Sequence, residues 1–447
     1  MRAIPAIMAI RSSWWGCCTW KRFGAGGTMR DIIFVSLEDW DEVWRRNQFL
    51  CAGLLERFPG MQILFVGKSR DFSHALRKLN FGSFKRKPFV RMEDHPGLSV
   101  LNPLKLFPNS LPSGRRWNQN SLVRQVRCAA SELSIRDPIL WINDHAAGHL
   151  AGQLGERAVV YDITDDWTQM PSIGVRERAQ IVMEDRKLCQ SADLVVVCSK
   201  ALEASRTPRS RRLERVPNGV NASHYRSCVL ENPMDAPAQT RTVHGESVLG
   251  YLGTLHRDRL DLELVAAMAR RCPRWRVVLC GPDYLRTEDK ALFAGLSNIE
   301  VRAAVPYKEV PSVLAGFDVC IVPHHCNGFT ESLNPIKLWE YLACGKPIAS
   351  TPVAGFLDYP HLVYLGNGVD GFVDACFKAL TEGADLMGRR VREAEAHSWE
   401  ARVDQLTEIF RQQGWLGRCS YRGGHLERPL NVDNITAQSV LGEVCHG

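Results

Sequence analysis

The chain has 447 residues and a net charge of +7, with 45% hydrophobic and 23% charged residues. This composition is typical of a soluble globular protein, and the length allows two domains with separate hydrophobic cores. No apolar run reaches the roughly 18 residues that span a bilayer. The 15 cysteines are scattered without the spaced pairs of a disulfide framework or a zinc site, so the sequence predicts no bound metal.

Residues 1–28 show no helical or strand pattern, and Met29 directly precedes the first predicted strand, so we expect Met29 to be a functional start. Beyond it, short apolar runs alternate with helical segments. Strands are predicted at 31–36, 62–66, 138–142, 158–163 and 193–198, and helices at 43–58 and 176–190. This alternation predicts parallel β-α-β units with strands buried on both faces.

Residues 223–246 are rich in Pro, Asn and Thr without periodicity, which is typical of a linker. A second array then has strands at 247–252, 275–280 and 318–322 and helices at 261–271, 309–317 and 398–412. Two such arrays predict an α/β protein with two doubly wound, Rossmann-like parallel-sheet domains facing a central cleft. The predicted division is an extension at 1–28, a first domain at 29–222, a linker at 223–246, a second domain at 247–397, a final helix at 398–414 and a disordered tail at 415–447.

The segment S-L-N-P-I-K-L-W-E-Y-L-A at 332–343 predicts a short helix just beyond the carboxyl end of a strand. Asn334 is a good N-cap, and Pro335 fits the first helical position. Ligands bind at such strand ends, and a helix N-terminus attracts anions. Lys337 and Glu340 share one helical face, so a phosphate beside the lysine and a ribose beside the carboxylate describe a nucleotide-sugar site. The alternative is a surface lysine and a solvated glutamate on an ordinary amphipathic helix.

Residues 334–350 resemble the donor-site signature of retaining GT-B glycosyltransferases of the group 1 kind, family four, and in particular a bacterial surface-polysaccharide subgroup with N-P-x-K-L-W-E-Y-L-A. The resemblance implies a hexosyltransferase-like GT-B enzyme that moves a sugar from a nucleotide-diphosphate donor to a hydroxyl acceptor with retention. It implies no metal and no other cofactor. It also implies that the last helix crosses back onto the first domain. The family's first acidic position, eight residues before the ribose-binding Glu, is occupied by Ser332 here.

The resemblance also implies roles for individual residues on the donor side. Lys337 and Arg259 would stabilise the leaving diphosphate, and Glu340 would hold the ribose. Further donor contacts are expected from Gly253, Thr254, Ser332, Leu333, Asn334, Pro306 and Tyr307. The family places an Arg directly after the glycine turn, where this chain has Thr254. For Arg259 a solvated loop position is the alternative, and for Tyr307 plain packing.

Polar residues follow several predicted strands of the first array and point toward the cleft. The candidates are Asp165 as a catalytic residue and Asp39, Trp40, His145 and Asp166 on the acceptor side. Asp165 and Asp166 could instead cap the next segment. The Asp-x-Asp at 39–41 matches a metal motif of the other main glycosyltransferase fold, but it lies in another array than the donor signature, so we expect no metal there.

Basic residues are concentrated at 68–91, where Phe81, Phe84 and Phe89 lie among them, and again at 206–215. Either cluster alone is typical of a solvated loop, but basic residues mixed with aromatic ones could also bind an anionic membrane surface or nucleic acid. The resemblance favours the membrane surface, because such enzymes often use lipid-linked acceptors. No nucleic-acid-binding module accompanies the basic residues, so nucleic acid is not an expected partner. The expected partners are a nucleotide sugar and a glycan or lipid-linked acceptor, in the cytoplasm or on the inner face of the membrane.

Two other functions are compatible with these motifs. A sugar-nucleotide epimerase of the same fold would need acid and base residues in the cleft and no acceptor. A catalytically inactive nucleotide-sugar-binding subunit would agree with Ser332 and Thr254 at positions where the family has Glu and Arg.

Overall fold

The computed structural model describes residues 30–226 and 247–416. The predictions made for Met29, for the extension at 1–28, for most of the linker and for the tail beyond 416 lie outside these residues.

The central strands of the first sheet are short apolar runs that are buried on both faces. The first ten strands of the chain are β1 Ile32–Val35, β2 Ile63–Val66, β3 Arg70–Asp71, β4 Phe89–Arg91, β5 Leu98–Leu101, β6 Leu104–Lys105, β7 Ile139–Ile142, β8 Ala158–Ile163, β9 Leu194–Val197 and β10 Leu213–Arg215. Eight of them form one sheet in the order β10-β9-β8-β7-β1-β2-β5-β4, and β3 pairs with β6 in a separate ribbon. In the large sheet only β4 is antiparallel to its neighbour.

The second sheet is entirely parallel. Its strands are β11 Ser247–Leu252, β12 Trp275–Cys280, β13 Ile299–Arg302, β14 Val319–Val322, β15 Ile348–Ser350 and β16 Tyr364–Leu365. Their order is β13-β12-β11-β14-β15-β16, so the strand order reverses between β11 and β14. In the first sheet it reverses between β1 and β7. In doubly wound sheets a crevice forms at such a reversal, and both sheets therefore have a natural binding position.

The helices cover the faces of the two sheets, as the alternating pattern predicts. They are α1 Arg46–Arg57, α2 Phe72–Lys78, α3 Pro112–Glu132, α4 Val175–Ser191, α5 Lys200–Arg206, α6 Leu262–Arg271, α7 Thr287–Ala291, α8 Val310–Ala315, α9 Gly328–Glu331, α10 Ile336–Ala343, α11 Gly368–Leu380, α12 Asp385–Glu395 and α13 Trp399–Gln412. The two doubly wound domains of the predicted fold class are confirmed. Helix α3 was not predicted, because few of its side chains are buried and its apolar periodicity is weak.

Helix α13 follows the second sheet in the chain but packs against the first. The ring of Trp399 stacks on Phe49 of α1 at 4.9 Å between centroids. Phe410 meets Trp141 of β7 edge to face at 5.9 Å. The core of the first domain is therefore completed by the end of the described chain.

None of the helices within the described ranges has the length and apolarity needed to cross a membrane.

Candidate active site

A cleft of about 670 Å³ lies between the two sheets, where the carboxyl ends of their strands meet. Its wall includes residues that follow β1, β7 and β8 on one side and β11 and β14 on the other. Both points of strand-order reversal open into it. Sites for small ligands and cofactors are typically about 300–1,000 Å³, so the cleft can hold a nucleotide sugar.

Lys337 is half-buried, and its ammonium forms no ion pair with a carboxylate of the described residues. Its Nζ lies 5.4 Å from the ring centroid of Tyr251, and no oxygen in residues 30–226 or 247–416 accepts a hydrogen bond from it. Burial, and secondarily the nearby charge of Arg259, lowers the pKa of Lys337 from 10.5 to about 8. A Cβ added to Gly253 would overlap Cε and Nζ of this lysine, so the glycine makes room for it. An anionic ligand in the cleft would supply the missing charge.

Glu340 lies one helical turn beyond Lys337 and also lines the cleft. Burial raises the pKa of Glu340, and the charge of Lys337 acts in the opposite direction. The hydroxyl of Tyr225 donates a hydrogen bond of 2.9 Å to Oε1 of Glu340. Tyr225 is fully buried, and burial holds its pKa well above 10, so its hydroxyl remains a donor. The carboxylate is thus held in place and still has acceptor positions for a ligand.

The prediction that Asn334 caps helix α10 is wrong. Helix α10 begins at Ile336, its N-cap is Pro335, and no side chain caps it. The Oδ1 of Asn334 instead accepts a hydrogen bond of 2.8 Å from the backbone of Asn218 in the first domain. Asn334 therefore joins the two domains at the cleft, where it remains part of the wall.

Ser332 is buried and also joins the domains. Its carbonyl accepts a hydrogen bond of 2.6 Å from the Ser199 hydroxyl, and its Oγ accepts one of 3.3 Å from the backbone of Asp166. Leu333, Thr254 and Tyr307 lie in the cleft wall, whereas Pro306 does not contribute to it.

Arg259 and Asp165 meet across the cleft. Nη2 of Arg259, in the second domain, lies 3.3 Å from Oδ1 of Asp165, in the first. The guanidinium also lies 5.2 Å from the ring of Phe329. Arg257, the other basic residue of this loop, pairs with Glu263 and Asp289 and does not line the cleft. The structure therefore brings Arg259, Asp165 and Lys337 together in one wall.

The four acceptor-side candidates have other positions. Asp39 pairs with Arg86 and accepts a hydrogen bond from the backbone of Lys68. Trp40 packs edge to face on Phe65 at 5.2 Å. Asp166 accepts from the backbone of Thr168 at 3.2 Å. It also pairs with the buried Arg206 at 2.8 Å. Neither these three nor His145 contributes to the cleft wall.

Glu38 and Arg45 were missed by the sequence patterns and occupy the cleft at this point. Arg45 Nε lies 3.4 Å from Oε1 of Glu38. Burial is the main cause that raises the pKa of Glu38 to about 7, with Asp165 adding to it and Arg45 opposing it. Only its place in the sequence could have indicated Glu38, because it lies two residues nearer than Trp40 to the carboxyl end of β1.

Asp261, Glu263 and His325 form a group whose ligand atoms lie within 4.8 Å of one another. It is partly exposed and lies outside the cleft wall, and Glu263 already pairs with Arg257. Acidic groups of this kind are common on surfaces, and none of the donor-side geometry involves them.

Comparisons with known proteins agree with this geometry. Residues 246–382, which include β11 to α11, match the family model "Glycosyl transferases group 1". The protein assigned as teichuronic acid biosynthesis glycosyltransferase TuaH in Bacillus subtilis (strain 168) is 26% identical over 271 residues, which are 56% of this chain and 65% of that protein. The chain thus matches just under two-thirds of the length of that relative.

Solved structures with low identity share the fold. Sucrose-phosphate synthase from Thermosynechococcus elongatus has a TM-score of 0.65 at 17% identity, over 86% of this chain and 99% of that one. HepE from Anabaena in complex with UDP and glucose has a TM-score of 0.58 at 14% identity over the same shares, 86% and 99%. A structure from E. coli, titled trehalose-6-phosphate bound with UDP-2-fluoro glucose, has a TM-score of 0.61 at 11% identity, again over 86% and 99%.

The second domain thus matches the group 1 glycosyltransferase model over residues 246–382, and the whole described chain has the two-domain fold of these solved structures.

Proposed function

We propose that this chain transfers a sugar, with retention, from a nucleotide-diphosphate donor to a hydroxyl acceptor in polysaccharide or glycolipid synthesis. The observation that carries the proposal is the pair on α10: a Lys337 ammonium without an ion-pair partner in the described residues and a fixed Glu340 carboxylate, both in the cleft wall. The relative assigned to teichuronic acid biosynthesis supports the pathway class. Structures of the same fold with bound UDP make a uridine diphosphate sugar the first donor to test.

The chemistry of these side chains fits a departing diphosphate. Negative charge grows on the diphosphate as its bond to the sugar breaks, and preorganised cations stabilise that charge. Lys337 already lies in a desolvated position, and Arg259 can exchange Asp165 for phosphate because the two are joined by one contact of 3.3 Å. Glu340 would accept hydrogen bonds from the ribose hydroxyls, which do not change during the reaction.

A deoxyribose donor tests this assignment. Glu340→Ala should mainly raise the KM for the donor, because it removes binding that is equal in the ground state and the transition state. A 2′- or 3′-deoxy donor should cost the wild type a similar factor and cost Glu340→Ala little more. Glu331→Ala is the matched control, since that exposed glutamate lies one position out of the family's register. If the deoxy donor weakens Glu340→Ala and the wild type by the same factor, the ribose assignment is wrong.

The epimerase alternative is favoured by one observation, the presence of both Glu38 and Asp165 in the cleft wall. Paired carboxylates can serve as acid and base within a single sugar. Analysis of the products by NMR separates the functions, because an epimerase forms an isomeric nucleotide sugar without acceptor and a transferase forms a new glycoside. The anomeric signal of that glycoside also tests retention. A chain that binds UDP and forms neither product would be the inactive subunit.

An anionic membrane surface is the partner that we propose for the first domain. The ribbon of β3 and β6 carries α2 on one side and leads into α3 on the other. Large apolar side chains are exposed there, with Leu79 reaching 82% exposure; the others are Phe72, Leu76, Phe81, Phe107, Leu111 and Trp117. Exposed basic residues lie among them, namely Arg77, Lys78, Lys85 and Lys87. Apolar and basic side chains in one surface favour anionic lipid.

The basic residues at 206–215 are not part of this proposed membrane surface. Arg206 is buried between Asp166 and Asp185, and Arg212 and Arg215 pair with Glu214 and Glu203. These three arginines serve the fold of the first domain.

Sedimentation with phosphatidylglycerol and phosphatidylcholine vesicles tests the membrane surface. Binding to the anionic vesicles should fall as salt shortens the Debye length. The double variant Leu79→Ser and Phe81→Ser should weaken it, whereas Leu357→Ser, at an exposed apolar position of the second domain, should not. Equal pelleting with both lipids, or none with either, would contradict the proposal.

A further inference from the structure

We propose that Glu38 is the catalytic residue that takes the proton from the acceptor hydroxyl as the sugar is transferred. The inference rests on the proposed function and names the role of a side chain that neither the donor signature nor the family model covers. It follows from the contacts that the cleft carboxylates make, from the position of Glu38 after β1 and from the charged residues near it.

Three carboxylates in the described residues line the cleft. Glu340 stands on the donor helix and is held by the Tyr225 hydroxyl at 2.9 Å. Asp165 is paired with Arg259 at 3.3 Å, at the cations that would face the diphosphate. Glu38 is the third carboxylate. It lies on the first-domain side of the cleft, and the proposed donor site does not use it.

Glu38 lies at the point where the strand order of the first sheet reverses. It follows β1, and Asn143 at the end of the neighbouring β7 accepts a hydrogen bond of 3.4 Å from the backbone of Leu37. The backbone N–H of Glu38 donates to the Ser36 hydroxyl at 2.9 Å. The carboxylate therefore extends from a fixed backbone into the crevice that the first domain contributes.

The charges around Glu38 come from four elements. Arg45 at the start of α1 contacts it at 3.4 Å. Asp165 after β8, Lys68 after β2 and Asp41 in its own loop act through longer-range electrostatics. Burial and the two aspartates favour the protonated form, while Arg45 and Lys68 oppose it, and the resulting pKa is about 7. A carboxyl group with that pKa can both accept and release a proton near neutral pH.

The proposed step balances as follows. The acceptor oxygen forms a bond to the anomeric carbon, and its proton passes to a carboxylate oxygen of Glu38. The bond between the anomeric carbon and the diphosphate oxygen breaks, and its electron pair stays on the diphosphate beside Lys337 and Arg259. Glu38 then returns the proton to solvent. For the proposed retention, the acceptor oxygen attacks the anomeric carbon from the same face that the diphosphate leaves.

The experiment compares Glu38→Gln and Glu38→Asp with Glu42→Gln, a change at an exposed glutamate of the same loop. Substrates are those that the wild type turns over from a panel of UDP sugars and p-nitrophenyl glycosides. Glu38→Gln should lower kcat by about 10²–10⁴-fold while the affinity for UDP stays within about threefold of the wild type. Glu38→Asp should retain more of kcat than the amide does, and Glu42→Gln should leave both quantities unchanged.

Two further readouts separate catalysis from structural support. The kcat of the wild type should rise with pH through about 7, and the residual rate of Glu38→Gln should lack that rise. Added formate should restore part of the rate of Glu38→Ala, because it supplies a carboxylate in the space that the truncation opens. These readouts decide the matter if Glu38→Gln weakens UDP binding by disturbing Arg45.

Each failure has its own signature. If Glu38→Gln retains kcat within about threefold, or if Glu38→Ala is not rescued and the rise with pH persists, the role of Glu38 is refuted and the transferase function stands. If the wild type binds UDP and transfers sugar to no acceptor, the proposed function falls, and this inference with it.

Discussion

Lys337→Met should stabilise the protein while it abolishes most of the activity. A pKa of about 8 in place of 10.5 means that the folded environment disfavours the ammonium by about 3 kcal/mol, at about 1.4 kcal/mol per pH unit. Methionine has similar length and no charge, so the variant removes this cost. Glu340 loses a favourable charge at the same time, which offsets part of the gain. We expect a net rise in the unfolding free energy of about 1–3 kcal/mol at pH 7.

Lys346→Met is the matched control, because Lys346 is a buried lysine whose ammonium is satisfied. Its Nζ donates hydrogen bonds of 2.8 Å each to the carbonyls of Ala315 and Phe317. Removing the donor leaves buried carbonyls unpaired, at about 1–3 kcal/mol each. The two lysine-to-methionine changes should therefore shift stability in opposite directions.

Urea denaturation at several pH values measures both effects. The wild-type lysine releases its proton in the folded state above about pH 8, whereas the unfolded chain keeps it until about 10.5. The gain from Lys337→Met should therefore be complete below pH 8 and vanish as the pH approaches 10.5. Activity should fall by about 10²–10³-fold in kcat, as for the loss of one preorganised charge contact. Destabilisation of Lys337→Met at pH 7, or an unchanged kcat, would refute the reasoning.

Three further predictions concern the same cleft. The kcat/KM for the donor should rise through about pH 7 as Glu38 loses its proton and fall above about pH 8 as Lys337 loses its charge. Lys337→Arg should abolish the fall at high pH. A flat pH profile in the wild type would contradict both assignments. Tyr225→Phe should raise the donor KM about 3–15-fold at unchanged kcat, as for the loss of one hydrogen bond. In the Glu340→Ala background the same change should not raise KM further. Additive effects in the double variant would show that Tyr225 does not act through Glu340. Gly253→Ala should lower kcat/KM as much as Lys337→Ala does, since the new methyl group would occupy the position of Cε and Nζ of Lys337. A wild-type rate in Gly253→Ala would show that Lys337 can act from another side-chain position.

The parts of the fold that depend on local sequence could be predicted. The strands β8, β11 and β12 have the predicted bounds, because each consists mostly of apolar residues and is mostly buried. Lys337 and Glu340 share a helix face because their spacing alone fixes it. Helix α3 could not be found this way, because it covers the sheet with only four buried residues.

The parts that depend on distant partners could not be predicted. Asn334 has the side chain of a good cap, but Asn218, 116 positions away in the chain, claims it. Asp166 likewise is engaged by Arg206, 40 positions away. In the loop after β1, Asp39 and Glu38 are chemically similar, and only the path of the backbone places Glu38 in the cleft.

The packing of α13 on the first domain bears on how the protein is made. Trp399, Val403, Leu406 and Phe410 belong to the same core as Phe49. During synthesis this core stays incomplete until the whole second domain has left the ribosome, a delay on the order of ten seconds at about 5–20 residues per second. The nascent first domain lacks the side chains of α13 for that interval, so we expect its core to be completed only after the second domain has been synthesised.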